Sequence, residues 1–266
     1  MRLTYHIVQA SSNRNRRNNH LFRFKQFEVD QQHCAMKINT DGVLLGALAE
    51  LPLPGKGAPQ ILDVGTGTGV ISLMLAQRFS NASIDAIDID LPAATQAKEN
   101  FNSSPFHHRL HAQHLDLRDF GTPQSTFNRA EHFDLIVSNP PFFLNSLKNP
   151  DARKQQARHA DTDFFQVLLH TSQNYLHETG SLQLILPPAL AETLADTALN
   201  HYSFLEARHI RIYSFATDAK PIRHILQLQK AAHTLPATPD QLIIYDAPGA
   251  YSRAYRSLLS DFFLAF

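Results

Sequence analysis

The sequence has very little of several things, and each shortage narrows what the chain can be. It holds one cysteine, Cys34, and no tryptophan among 266 residues. A lone cysteine excludes an internal disulfide framework and suits a reducing compartment, so a cytoplasmic protein is expected. Net charge is missing too, since 24 basic side chains balance 24 acidic ones. A protein that held nucleic acid by bulk electrostatics would carry an excess of base, so any such partner must be met through local patches. No apolar run is long and unbroken enough to cross a bilayer, and no membrane partner is expected. The opening "MRLTYHIVQASSNRNRRNNH" puts its basic run after a brief apolar piece, the reverse of a secretory signal. Histidine is plentiful, but the densest group, His107, His108, His111 and His114, has no cysteine nearby and straddles a turn and a strand. No metal site is expected there.

What the chain does have is an alternation. Residues 1–21 read as a basic, disordered extension, and 22–266 as a single domain. "TDGVLLGALAEL" is a helix candidate halted by Pro52 and Pro54. "ILDV" then reads as a buried strand, followed by a glycine loop and a helix over Val70–Arg78. "SIDAID" is a strand and "LPAATQAKENF" a helix with Pro92 in its first turn. "RLHAQHLD" and "FDLIVS" are further strands, the second continuously apolar as a parallel strand covered on both faces would be. A helix is expected over 162–176, "SLQLILP" as the next strand, and a helix over 189–202. "ARHIRIYSF" and "RHILQLQKA" form a late pair, and "QLIIYD" precedes a helix ending in "SLLSDFFLAF". Strands alternating with helices predict an α/β, Rossmann-like fold: a mostly parallel seven-stranded sheet with an antiparallel edge strand and helices on both faces.

Ligands of such sheets bind at the carboxyl ends of the strands, and the chemistry-bearing residues gather there. "DVGTGTG" joins the first strand of the alternation to its helix, and its glycines allow a sharp turn and close backbone approach. Asp63 opens this loop, placed to meet a cationic group. Asp88 closes the next strand about 20 residues on, the spacing at which a carboxylate accepts ribose hydroxyls. Asp116 closes the third strand and can accept from an adenine amino group. Three acids at the ends of three successive strands describe a nucleoside pocket. Asp90 is an alternative ribose ligand, although its place suits the start of the following helix better. A dinucleotide site would show G-x-G-x-x-G and an apolar residue in place of Asp63. The spacing here is G-x-G-x-G with acid before it, which suits a cofactor with a positive centre, S-adenosylmethionine. Thr66 and Gly69 in the same loop, and Ile89 and Leu117 beside two of the acids, are expected in the cofactor lining.

"NPPF", residues 139–142, overhangs the same edge. Adjacent prolines continue neither a helix nor a central strand. The Asn139 side-chain oxygen and the Pro140 carbonyl offer two acceptors for the N–H groups of an aromatic amine. Held so, the nitrogen pyramidalises and points its lone pair at the methyl donor. Pro140 and Pro141 fix the acceptors in advance, and Phe142 offers the target base a stacking face. The basic run that follows, Lys148, Arg153, Lys154 and Arg158, is placed to hold phosphates beside a flipped base.

With these residues in view, the chain resembles the class I S-adenosylmethionine-dependent methyltransferases that act on exocyclic amines. "FRFKQFEVDQQHCAMKINTDGVLLGALA", "QARHADTDFFQVLLHTSQNYL" and "AYSRAYRSLLSDFF" narrow the resemblance to the bacterial tRNA-valine (adenine-N6) methyltransferases. That resemblance implies methylation of the adenosine directly 3′ of the anticodon, in a tRNA anticodon stem-loop; the sequence does not determine the oligomeric state, and a monomer is favoured. It also implies that Thr40 and Asp41 reach the methionine end of the cofactor. Asp63, Gly65 and Gly67 would then line the cofactor, Asp88 hold its ribose and Asp116 its adenine, with residues 139–142 gripping the target. Other readings stay open at this level: guanine N2 in ribosomal RNA, a protein glutamine amide, a cofactor-binding module without chemistry, or a nicotinamide-dependent oxidoreductase.

Overall fold

The computed structural model describes residues 20–51, 57–126, 132–140, 152–230 and 240–266, with side chains from 163 onward in the helix that begins at 152 and from 208 in the strand that begins at 206. A small antiparallel hairpin comes first, β1 (Leu21–Arg23) and β2 (Glu28–Asp30), then α1 (Thr40–Leu48). The alternation follows as β3 (Gln60–Val64), α2 (Val70–Arg78), β4 (Ser83–Asp88), α3 (Leu91–Asn102), β5 (Leu110–His114) and β6 (Phe133–Ser138). The second half holds α4 (Ala152–Tyr175), β7 (Leu176–Leu186), α5 (Pro188–His201), β8 (Glu206–Phe215), β9 (Arg223–Gln229), β10 (Gln241–Ala247), β11 (Ala250–Tyr251) and α6 (Arg253–Leu259).

The main sheet has nine strands in the order β11-β10-β8-β9-β7-β6-β3-β4-β5. From β7 to β5 every pairing is parallel, so the carboxyl ends of β3, β4, β5 and β6 lie along one edge. Two details depart from the expected seven strands with an antiparallel edge. The strands number nine, and besides β11, which lies antiparallel to β10 at the edge as expected, a second antiparallel strand, β9, lies inside the sheet between β7 and β8. The α5 crossover carries β8 one place past the neighbour of β7, and β9 fills the slot; its "HILQLQ" residues are accordingly all buried. β10 then adds parallel to β8, and the two-residue β11 closes that edge.

Each face of the sheet has its own core. Val43, Leu73, Ile84, Phe101 and Tyr255 pack α1, α2, α3 and α6 on one side, together with Phe22, Phe24 and Phe27 of the hairpin. Leu168, Leu169, Leu194 and Ala198 pack α4 and α5 on the other. α1 is buried from Gly42 to Leu48. Its last carbonyls are met by Arg78, which donates to Gly46 O at 3.1 Å and Ala49 O at 2.5 Å and pairs with Glu50 at 3.0 Å.

The "FKQF" stretch is a structural clasp. Phe24 stacks on Phe27 at 4.5 Å between ring centres and bridges to Phe263, while the Lys25 N–H bonds Phe262 O at 2.8 Å. This contact also explains why the C-terminal helix ends at Leu259 instead of running through "SDFF": the Phe262 and Phe263 N–H groups both turn back to Leu259 O. The expected extension lies outside the described residues up to residue 19, and Leu21 already pairs with Asp30 in the hairpin. Among the described residues no helix is long and apolar enough to cross a membrane.

Candidate cofactor and substrate site at the carboxyl edge of the sheet

Asp63 sits in β3 in register with Ala86 and Val137, wholly buried in the middle of the parallel strands. One carboxylate oxygen, Oδ2, accepts from Thr66 Oγ1 at 2.8 Å and from Ser72 Oγ at 2.7 Å. The other, Oδ1, has no hydrogen-bond partner among the described residues. Burial pushes the Asp63 pKa up to about 6, only partly offset by the Ser72 and Thr66 hydrogen bonds. A buried carboxylate with one unsatisfied oxygen is costly to fold around and suits a cationic ligand group.

The loop after Asp63 turns through left-handed conformations at Gly65, Gly67 and Gly69, with φ of 72°, 57° and 80°. Space differs among them. A Cβ built at Gly65 or Gly67 would meet nothing within 4 Å, whereas one at Gly69 would lie 2.5 Å from Phe101 Cε1. The first two glycines therefore face an open cradle, and the third is needed for packing against α3. The Gly65 and Thr66 N–H groups bond Ile87 O at 2.9 and 3.1 Å, and Asp88 Oδ2 accepts from Gly67 N at 2.8 Å. Asp88 thus ties the loop to the end of β4, and its other oxygen accepts from Asp90 N at 2.9 Å. Burial raises the Asp88 pKa. Asp90 occupies the position before α3, but its side chain makes no capping bond.

Asp116 lies two residues past β5 and caps a short 3-10 turn, Leu117–Asp119, by accepting from Arg118 N. Arg118 also grips the carboxylate through Nε at 3.1 and 3.0 Å, which lowers the Asp116 pKa. Leu117 is buried, whereas Ile89, next to Asp88, is 63% exposed. A large apolar side chain left open at a strand end, beside the carboxylate expected at the ribose, fits a surface that an adenine would cover. The cradle, the unsatisfied oxygen and this surface together fit S-adenosylmethionine.

Asn139 leaves β6 half-buried and Pro140 is buried. The strand end is stitched to β3 by Ser138, whose hydroxyl donates to Val64 O at 2.7 Å. A Cβ built at Gly42 would stand 3.6 Å from Asn139 Nδ2, so the start of α1 lies against the amide. That start is held by Asn39, which accepts from Gly42 N at 2.9 Å, and by Arg223 of β9, which donates to Asp41 Oδ2 at 2.7 Å. Gly42, the residue after Asp41, and Asn139, distant in sequence, are brought together here. Pro141, Phe142 and Lys148 lie outside the described residues. Arg153, Lys154 and Arg158 fall in the first turns of α4, which begins at Ala152, ten residues before the expected start. Sequence reasoning missed Arg118 as the partner of Asp116 and Arg223 as that of Asp41. It also missed Asn100, one polar residue among several on its helix and part of no motif. Among the described residues no group of histidine, cysteine, aspartate and glutamate could hold a metal.

Comparison with known proteins decides the lineage. The Methyltransferase small domain family matches residues 42–213. A tRNA1(Val) (adenine(37)-N6)-methyltransferase from Pedobacter heparinus is 48% identical over 92% of this chain and 98% of its own. Another of that name, from Parabacteroides distasonis, is 40% identical over 92% of this chain and 98% of its own. The chain belongs to the tRNA1(Val) (adenine(37)-N6)-methyltransferase family. Among solved structures, a "predicted O-methyltransferase" from Agrobacterium tumefaciens superposes with a TM-score of 0.58 at 17% identity, over 84% of this chain and 96% of that one. That likeness speaks for the class I methyltransferase fold, in which ligands bind at the carboxyl edge of the sheet.

Proposed function

We propose that this methyltransferase transfers the methyl group of S-adenosylmethionine to N6 of adenine 37 in the anticodon loop of tRNA1(Val). The observation that carries the reading is the convergence, at one sheet edge, of the open glycine cradle, three strand-end carboxylates and the amide of Asn139, in a chain of this family.

S-adenosylmethionine, when bound, supplies a methyl group on a positively charged sulfur. Asp63 sets a buried negative charge near its cationic end, Asp88 accepts from the ribose hydroxyls, and Asp116 accepts from the adenine amino group. Thr40 and Asp41 bound the methionine end. Asn139 Oδ1 and the Pro140 carbonyl accept the two N–H groups of the target amine, which withdraws its lone pair from the ring and aims it. Phe142 gives the target base a face to stack on, worth roughly 1–3 kcal/mol. No strong base is needed, because a methylated, still protonated amine is acidic enough to release its proton to water. Lys148, Arg153, Lys154 and Arg158 hold phosphates beside the extruded nucleotide, and a single-stranded loop makes that extrusion cheap.

Asn139→Ala tests the reading. Turnover is expected to fall about 100-fold or more, by analogy with removal of one positioned polar group at a reacting centre. Affinity for S-adenosylhomocysteine, measured by calorimetry, should stay near that of the parent protein. An unchanged rate would remove the role given to this amide.

A further inference from the structure

Asn100 lies near the end of α3 with only 4% of its surface exposed. Its side-chain amide makes three hydrogen bonds to backbone. Nδ2 donates to Thr68 O at 2.9 Å and to Asp30 O at 2.8 Å, while Oδ1 accepts from Asp30 N at 2.9 Å. Thr68 belongs to the glycine loop. Asp30 is the last residue of β2, where the chain leaves the hairpin to become a strap, residues 31–39, leading to α1. One planar group therefore holds the cofactor loop and the root of the strap together.

The strap is built to keep a shape. Gln31 folds it closed, accepting from Ile38 N through Oε1 at 2.9 Å and from Lys37 Nζ through its carbonyl. Gln96, one helical turn before Asn100, accepts from His33 N at 3.4 Å. Cys34 is buried within the strap, where desolvation and the nearby negative charge of Asp88 push its thiol up to about 11. At its far end Asn39 caps α1, whose Gly42 lies against Asn139. The strap thus runs from the loop that cradles the cofactor, past the ribose carboxylate, to the helix start that touches the target-binding amide.

We propose that Asn100 is a positioning residue that couples the glycine loop to the strap, so that cofactor binding in the loop orders residues 31–39 and a docked strap tightens cofactor binding. The inference rests on the cofactor reading above. Only an amide of this length fits the pattern, since two carbonyls need two donors from one nitrogen and Asp30 N needs an acceptor beside it. Aspartate has the shape but would turn an acceptor toward Thr68 O and Asp30 O, opening the link between loop and strap.

Amide hydrogen exchange with and without S-adenosylhomocysteine tests this on the unaltered protein. Ligand should slow exchange at 65–69 and also at Asp30, Gln32 and Ile38, whose N–H groups bond the side-chain oxygens of Asn100, Asp30 and Gln31 in turn. Protection of the loop with none in the strap overturns the coupling and leaves the cofactor reading standing. A protein that does not bind S-adenosylhomocysteine overturns both. In Asn100→Asp, ligand affinity is expected to fall about tenfold. Strap protection should disappear, and KM for S-adenosylmethionine should rise with kcat largely kept. Parent-like affinity with strap protection retained would refute the role of Asn100.

Discussion

At the scale of the residue, Asp63 shows how a fold holds a buried acid that the proposed cofactor site would use. The side chain is wholly buried, two hydroxyls meet one oxygen, and the other has no partner among the described residues. With its pKa raised to about 6, the carboxylate is half protonated near that pH in the absence of ligand. The sign for folding follows from linkage. A carboxylate whose folded pKa exceeds its unfolded value of about 3.9 binds protons more tightly when folded, so its contribution improves as pH falls from above 6 toward 4. Cofactor binding runs the other way, because a cationic group favours the ionised form. Affinity for S-adenosylmethionine should therefore weaken as pH drops below about 6, approaching tenfold per pH unit, and Asp63→Asn should remove most of that dependence. Calorimetric titrations between pH 5 and 8 check both statements. The acid and its glycines were legible in the sequence because strand, loop and helix occupy consecutive residues. The partners were not: Arg118 faces back onto Asp116 through a local turn, and Arg223 reaches Asp41 from the far half of the chain.

At the scale of the element, legibility follows apolar pattern. β4, β6 and α2 have the expected ends, because β6 and α2 are dense apolar runs and β4 interleaves apolar and polar residues, each bounded by polar or glycine residues. α4 begins at Ala152 instead of near 162 because "ARKQQARHAD" has almost no apolar periodicity, yet is rich in alanine, arginine, lysine and glutamine, all good helix formers. The hairpin was missed because three-residue strands carry too little alternation to register. Two predictions belong here. Gly46 sets the distance between α1 and α2, since a Cβ there would lie 2.9 Å from Met74 Cβ. Gly46→Ala should destabilise the protein by about 1–3 kcal/mol, read from the denaturant midpoint, unless the helices move apart. The first turns of α4 carry Arg153 and Lys154, and reversing both charges should weaken RNA binding. The slope of log affinity against log salt should flatten by roughly 0.7 for each phosphate of single-stranded RNA that is no longer neutralised. An unchanged slope would take this helix out of the RNA site.

At the scale of the whole molecule, the order of the strands places the chemistry. β3 lies between β4 and β6, so the glycine loop, Asp88 and Asn139 arrive at one edge although 76 residues separate Asp63 from Asn139. The alternation of strands and helices made that edge legible, because parallel strands must place their carboxyl ends together. The position of β9 was not legible, since a buried antiparallel strand and a buried parallel one show the same apolar run. Nor does a sequence pattern show which elements meet at Asn100. The most direct measurement is nucleoside mass spectrometry, with site mapping, of unmodified tRNA1(Val) incubated with the protein and labelled S-adenosylmethionine. Label is expected in N6-methyladenosine at position 37, absent with Asn139→Ala; label in methylguanosine, or none in the tRNA from a protein that binds the cofactor, would contradict the proposed reaction.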